Sequence, residues 1–167
     1  DMGNLLRLAH SMKEVTNAHF IFLGQGDEVP LVKETIESQN LVNTTLLPSV
    51  SQERYKEILT QVDIGLFSLA ASHKTHNFPG KLLGYMVESL PILGSINVGN
   101  DLSEVITSAD AGFILVNGQD AEFFKAAKEL AADKNLRKQI GDNANRLLVN
   151  QFSVRSAANT ILNNLNS

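Results

Sequence analysis

Lysine and histidine, two side chains able to act on an anion, stand together in one short stretch, His73-Lys-Thr-His76 followed by Pro79-Gly-Lys-Leu-Leu-Gly84. Proline tolerates the first turn of a helix, where its missing N–H costs nothing, so a helix is expected to start at Pro79 with Lys81 in its first turn. The unpaired N–H groups of such a turn attract phosphate or another anion. A cation there is mildly disfavoured by the helix dipole, which favours a functional reading of Lys81 over that of an ordinary exposed lysine. Gly80 beside it would let a ligand approach the backbone closely. His76 could donate a hydrogen bond to a developing anion and would titrate near neutral pH, though a solvated loop histidine fits equally. The spacing of His73 and His76 suits a metal only on a helix, and no Cys or acidic partner is near; no metal site is assigned.

Gly24-Gln-Gly26 closes a short apolar run and reads as a turn needing positive φ, or as a backbone contact to a ligand. It lacks the third glycine and the acidic ribose partner of a dinucleotide fingerprint, so no NAD site and no cofactor is assigned. Ser49 and Val50 follow another strand end, on the edge where open α/β sheets bind ligands. Asp63 falls at a strand's beginning, on the opposite edge, and reads as a cap or surface residue.

The elements that must position these residues alternate. Leu5, Leu8, Met12 and Val15 have helical spacing, His19 to Leu23 is a buried strand, and Val29 to Gln39 a helix. Thr44 to Leu47 is a strand, Ser51 the N-cap of a helix to Gln61, and Asp63 to Phe67 a third strand. Ser68 to Phe78 is a long polar loop of the kind that is functional or mobile. Then come the Pro79 helix, the strand Pro91 to Gly94, a short helix with capping-box spacing in Asp101-Leu-Ser-Glu104, and the strand Gly112 to Val116. Helices fill Asp120 to Ala132, Asn135 to Asn150 and Ser153 to Asn164. This order predicts an α/β fold, a Rossmann-like parallel sheet with helices on both faces. The chain enters its first helix at once, with no strand before it, so the first strand of the sheet is expected to be missing.

With 167 residues, 43% of them hydrophobic, the chain suits one core and one domain, residues 1–167. A net charge of −4 and scattered lysines argue against nucleic acid as a partner. No apolar run reaches membrane-spanning length and no secretion signal is visible. The absence of cysteine excludes disulfides and fits a reducing cytoplasm.

The segment Pro79 to Gly94, with its Tyr-Met-Val-Glu core and Leu90-Pro-Ile ending, resembles the donor-site segment of retaining glycosyltransferases of family 4, which have the GT-B fold. Phe20 to Gly26 resembles that family's strand and Gly-x-Gly turn, Pro48-Ser-Val50 its loop before a helix, and Val62 to Ser68 its Ala-Asp-Val strand. Ala111-Gly-Phe113 matches an entry to its last strand. The resemblance covers nearly the whole chain and matches the C-terminal of two Rossmann-like halves. It implies a single nucleotide-sugar-binding domain excised from a two-domain protein. Its partners would be a nucleotide-diphosphate sugar, the missing N-terminal half, and a saccharide or lipid-linked acceptor.

The implied donor-binding residues are Gly24, Gly26, Ser49, Val50, Pro79, Gly80, Lys81, Leu82, Gly84 and Glu88, with Lys81 and His76 stabilising the departing diphosphate. The implied setting is bacterial surface polysaccharide synthesis, such as lipopolysaccharide, in the cytoplasm or at the periphery of the inner membrane. The family signature has two glutamates eight positions apart. Aligned on Met86 and Leu90-Pro91, this sequence has His76 and Gly84 there, and the ribose contact would fall to backbone or to Glu88, one helical turn on. A non-catalytic nucleotide-sugar-binding or scaffold domain of the same fold is the alternative. A receiver-like domain is disfavoured because Asp63 precedes its strand, and a GT-B epimerase because the Met86 to Pro91 wording is closer to the transferases.

Overall fold

The computed structural model describes residues 1–72 and 78–152. Its elements in order are α1 (Met2–Ser11), β1 (Phe20–Leu23), α2 (Val29–Ser38), β2 (Thr44–Leu47), α3 (Gln52–Leu59), β3 (Gly65–Ser68) and α4 (Lys81–Val87). After them come β4 (Ile92–Ile96), α5 (Leu102–Ser108), β5 (Gly112–Val116), α6 (Asp120–Ala132), α7 (Lys134–Leu147) and a π turn, Leu148–Phe152. All strand pairs are parallel, as expected for strands that alternate with helices. The sheet is interrupted: β1 pairs with β2, and β3, β4 and β5 form a second ladder in that order.

Alternation along the strands sorts the core into two layers. Phe22 and Leu93 point toward α1 and α6, where they meet Leu5, Leu8, Phe123 and Leu130. Phe67, Ile92 and Ile96 point the other way, toward Leu82 and Met86 of α4 and Ile106 of α5. The helix α7 serves both layers, with Ile140 in the first and Ala144 and Leu147 in the second. Helices therefore cover both faces, and β4 is buried along its whole length.

Local signals explain several boundaries. Ser51 caps α3, its Oγ accepting from the Arg54 N–H at 3.2 Å. Asp133 caps α7 by accepting from Asn135 and Leu136 at 2.8 and 3.0 Å, which separates α6 from α7 without a loop. The capping box expected at Asp101 does not form, since Asp101 makes no side-chain cap bond; the Leu102 N–H is instead taken by Asn100 Oδ1 at 3.0 Å, from a buried amide one residue before Asp101. The helix expected from Pro79 begins instead at Lys81, with Gly80 as N-cap, and the Pro79 carbonyl accepts the Leu82 N–H at 2.9 Å. The last expected helix, Ser153 to Asn164, lies outside the described residues.

The start of α1 is fixed by a polar network at the carboxyl ends of the strands. Asn4, only 1% exposed, accepts from Ser68 Oγ at 3.1 Å and donates to Asp120 at 3.4 Å. Asn117 donates to Asp1 and to the Leu69 carbonyl at 2.9 and 2.8 Å, and Arg7 pairs with Asp120 at 2.7 Å. These bonds hold α1 against the ends of β3 and β5 through residues that no helical periodicity would single out.

Candidate functional site at the carboxyl edge of the sheet

Open parallel sheets bind ligands beyond the carboxyl ends of their strands; in this chain one cavity of about 900 Å³ runs between β1 and β3 and reaches the turn at the carboxyl end of β1. The turn after β1 forms part of its rim. Gly24 and Gly26 have φ of +154° and +133°, which L side chains rarely adopt, and a β-carbon on either would meet no atom within 4 Å. Both turn residues thus have the positive φ expected of them, with open space in front.

Lys81 lines the same cavity from the first residue of α4. It keeps an open face, yet the surrounding protein desolvates its ammonium and holds its pKa below the ordinary lysine value. Among the described residues it has no hydrogen-bond or ion-pair partner. One turn on, Tyr85 is 9% exposed and donates its hydroxyl to the Leu66 carbonyl at 3.0 Å. Burial, and secondarily the neighbouring Tyr55, raises the Tyr85 pKa, so the phenol remains a neutral donor. Tyr55, Tyr85 and Glu28 are among the other residues that line this cavity. Tyr85 was accessible from sequence as the residue four after Lys81, on the same helical face; Tyr55 and Glu28 carry no such signal.

Ser49, Val50, Pro79, Gly80, Leu82, Gly84 and Glu88 do not line this cavity. Val50 lines an adjoining apolar pocket of about 320 Å³ with Ile21, Leu47, Pro48 and Ile58, of which Ile21 and Ile58 also line the larger cavity, and Ser49 beside it is exposed. Pro79 is half-buried and Gly80 exposed; Gly80 has ordinary helical dihedrals, and a β-carbon there would meet nothing within 4 Å. Leu82 is fully buried in the core, which leaves only its backbone to face a ligand. Gly84 faces α3, where a β-carbon would come 3.2 Å from a Leu59 methyl. Glu88 is the C-cap, at the opposite end of α4 from Lys81, roughly 10 Å away at 1.5 Å per residue. Asp63 is an exposed surface residue paired with Arg137 at 3.4 Å. His73 and His76 lie outside the described residues. Among the described residues no group of three or more metal-ligating side chains is placed to hold an ion. No helix among them is long and apolar enough to cross a membrane.

The family model for glycosyl transferases group 1 matches residues 2–147. The chain belongs to the group 1 glycosyl transferases. No curated sequence matches it significantly. Three solved structures share its fold at low identity. One is a mutant of TarM from S. aureus in complex with fondaparinux, α-GlcNAc-glycerol and UDP, at TM-score 0.80 and 18% identity, covering 99% of this chain and 33% of that one. Another is WaaG, a glycosyltransferase involved in lipopolysaccharide biosynthesis, at TM-score 0.67 and 15% identity, covering 87% and 38%. The third is the C-terminal domain of the group 1 glycosyl transferase LpcC from Francisella tularensis, at TM-score 0.71 and 15% identity, covering 92% and 80%. This group 1 chain spans only about a third of the length of the first two. Its architecture is that of the Rossmann-like C-terminal domain of GT-B glycosyltransferases.

Proposed function

We propose that this chain is the donor-binding half of a retaining family 4 glycosyltransferase that moves a sugar from a nucleotide-diphosphate sugar to an acceptor hydroxyl. The observation that supports it best is Lys81: a desolvated cation, without a partner among the described residues, that shares a cavity with the Gly24–Gly26 turn. As the bond from the anomeric carbon to the diphosphate breaks, charge gathers on the leaving phosphate. A pre-placed cation stabilises that charge more strongly than the starting ester. The acceptor oxygen forms the new glycosidic bond with retained configuration, and its proton leaves with the diphosphate or to solvent. His76 is assigned a hydrogen bond to the same diphosphate.

The remaining assignments follow from where residues stand. Gly24, Gly26, Pro79, Gly80, Lys81 and the Leu82 backbone would meet the diphosphate and sugar, and Ser49 and Val50 the nucleobase. The ribose contact would come from backbone near Gly84, with Glu88 the weaker choice because it caps the far end of α4. The acceptor, a saccharide or a lipid-linked one, would be held by a second half of the protein, in bacterial surface polysaccharide synthesis on the cytoplasmic side of the inner membrane. The UDP bound to TarM and the involvement of WaaG in lipopolysaccharide biosynthesis lend this setting support.

The test is calorimetric titration of the parent protein with a panel of nucleotide-diphosphate sugars, followed by assay of transfer. Binding with turnover by the parent, and no turnover by residues 1–167 alone, is the expected result. Binding without turnover in the parent would favour the non-catalytic alternative, to which the absence of a carboxylate at Gly84 already points. Absence of binding in both would overturn the donor assignment.

A further inference from the structure

A lysine attacks carbon only through its neutral amine, and that form gains where water is withheld and no carboxylate holds the proton. Both conditions meet at Lys81. The surrounding protein desolvates its ammonium, and among the described residues nothing hydrogen-bonds or pairs with it. Other lysines are held differently. Lys13 donates to the Gln39 carbonyl at 3.2 Å and Lys138 pairs with Asp142 at 2.7 Å, while Lys125 and Lys128 stand exposed on α6 and do not line the cavity.

The walls around Lys81 suit an uncharged group. Tyr55, Ile58 and Leu59 of α3 line the same cavity, and α3 packs against α4. The Tyr85 hydroxyl is committed to the Leu66 carbonyl at 3.0 Å and supplies no counter-charge. The lining carboxylates are engaged elsewhere or open to water: Glu28 accepts the Met2 N–H at 3.1 Å, Asp63 pairs with Arg137 at 3.4 Å, and Asp27 is exposed.

We infer that Lys81 is a modification site, acylated on Nζ by small acyl phosphates. The amine attacks the acyl carbon and an N–C bond forms as the C–O bond to the phosphate breaks. Inorganic phosphate departs with the electron pair, and the amine proton passes to it or to solvent. The product fits the site better than the reactant does. A neutral amide escapes the penalty that desolvation places on an ammonium, and its alkyl end is at home beside the apolar α3 side chains. Acylation also removes the positive charge, as lysine acetylation does generally. The choice of a phosphate-bearing acyl donor, and the consequence that the modified protein loses affinity for a nucleoside diphosphate, rest on the donor reading; the reactivity of the amine does not.

The test treats the parent protein with acetyl phosphate and follows each lysine by peptide mass spectrometry, in the folded protein, in the protein unfolded by urea, and in the folded protein with UDP. In the folded protein Lys81 should gain its acetyl group roughly tenfold faster than Lys125 and Lys128, which lack the desolvating walls. Unfolding should bring the three rates together. Modification of folded Lys81 no faster than of Lys125 and Lys128 would overturn the proposal. So would a preference that persists in urea, because it would then belong to the local sequence and not to the cavity. UDP should slow the reaction at Lys81 alone. Selective acetylation that UDP leaves unchanged upholds the modification site and counts against the donor reading, so the two assignments fail separately.

Discussion

Gly141 of α7 lies directly on the backbone of Ser89, so close that a β-carbon at 141 would collide with the Ser89 carbonyl. Ser89 itself has a left-handed backbone, φ +54°, where it ends α4 by donating its N–H to Met86 at 3.2 Å while Leu90 donates to Tyr85 at 2.9 Å. The two features are coupled: the tight exit from α4 puts a carbonyl where only a glycine can pack. The obstacle is backbone that is already bonded on both sides, and it has no rotamer by which to retreat.

Gly141→Ala is therefore expected to destabilise the chain by about 1–3 kcal/mol, the range for overpacking a well-filled core. Gly84→Ala makes the contrast, because its β-carbon would meet only the movable end of Leu59 at 3.2 Å. Urea unfolding of the pair should show a clear loss for the first and a change under roughly 0.5 kcal/mol for the second, where the alanine's helix preference offsets the contact. Similar losses would mean that the Ser89 backbone is not the obstacle.

Ser95 Oγ is buried on β4 without a hydrogen-bond partner among the described residues. Removing an unsatisfied hydroxyl from an interior is neutral to favourable, so Ser95→Ala should raise stability by up to about 1 kcal/mol. A loss of that size in thermal unfolding would show that the hydroxyl has a partner after all.

The Arg7–Asp120 pair gives an acid dependence with a definite sign. The hydrogen bond from Arg7 lowers the Asp120 pKa below its ordinary carboxylate value. A depressed folded pKa stabilises the protein above the unfolded pKa, and that contribution fades as pH falls through the folded one. Both side chains are about half exposed, 50% and 46%, so the pair contributes only about 0.2–1 kcal/mol. Asp120→Asn should be the less stable form near neutral pH, and its difference from the parent sequence should shrink below about pH 4, where carboxylates protonate. A difference independent of pH would assign the loss to the Asn4 contact instead.

Lys81→Ala in the parent protein should weaken nucleoside diphosphate binding by about 10- to 100-fold, since a hydrogen bond to a charged group contributes about 1.5–3 kcal/mol. The same change should not destabilise the fold, because the desolvated ammonium has no described partner to lose. Calorimetry with UDP and a melting curve separate the two, and an unchanged affinity would remove the residue-level support for the donor site. Gly84→Glu probes the ribose side: its stem must pass the Leu59 methyl, so it should improve donor binding only when combined with Leu59→Ala.

The order of elements was legible because strand and helix periodicities differ and every strand ends at a turn residue. Thr44–Leu47, Gly112–Val116 and Asp120–Ala132 have the boundaries that their patterns predict. Helix starts were less legible. Proline marks the Pro79 helix two residues early, because a residue that suits the first turn also suits the extended approach to it. Asp101-Leu-Ser-Glu104 has the right spacing for a capping box, yet Asp101 makes no side-chain cap bond, and the buried Asn100 amide serves the first turn through the Leu102 N–H. At the site, Lys81 and the Gly24–Gly26 turn declared themselves by residue type. Tyr55, Glu28 and the Asn4 network are brought in by tertiary packing between elements distant in sequence, and single-sequence patterns do not encode that.

A sheet resists shear through its hydrogen-bond ladder, and here the ladder stops between β1 and β3. The Gly24 turn rides on one plate, β1 with β2, and Lys81 on the other, through α4 packed against β4. The helix α1 straps the plates together, touching α2 on one side and β3 and α6 on the other. No rung crosses from one ladder to the other among the described residues, so α1 rather than strand pairing holds the glycine turn and the lysine in place relative to each other. The separation of the Gly24 turn and Lys81 is thus set by how α1 packs between the two ladders.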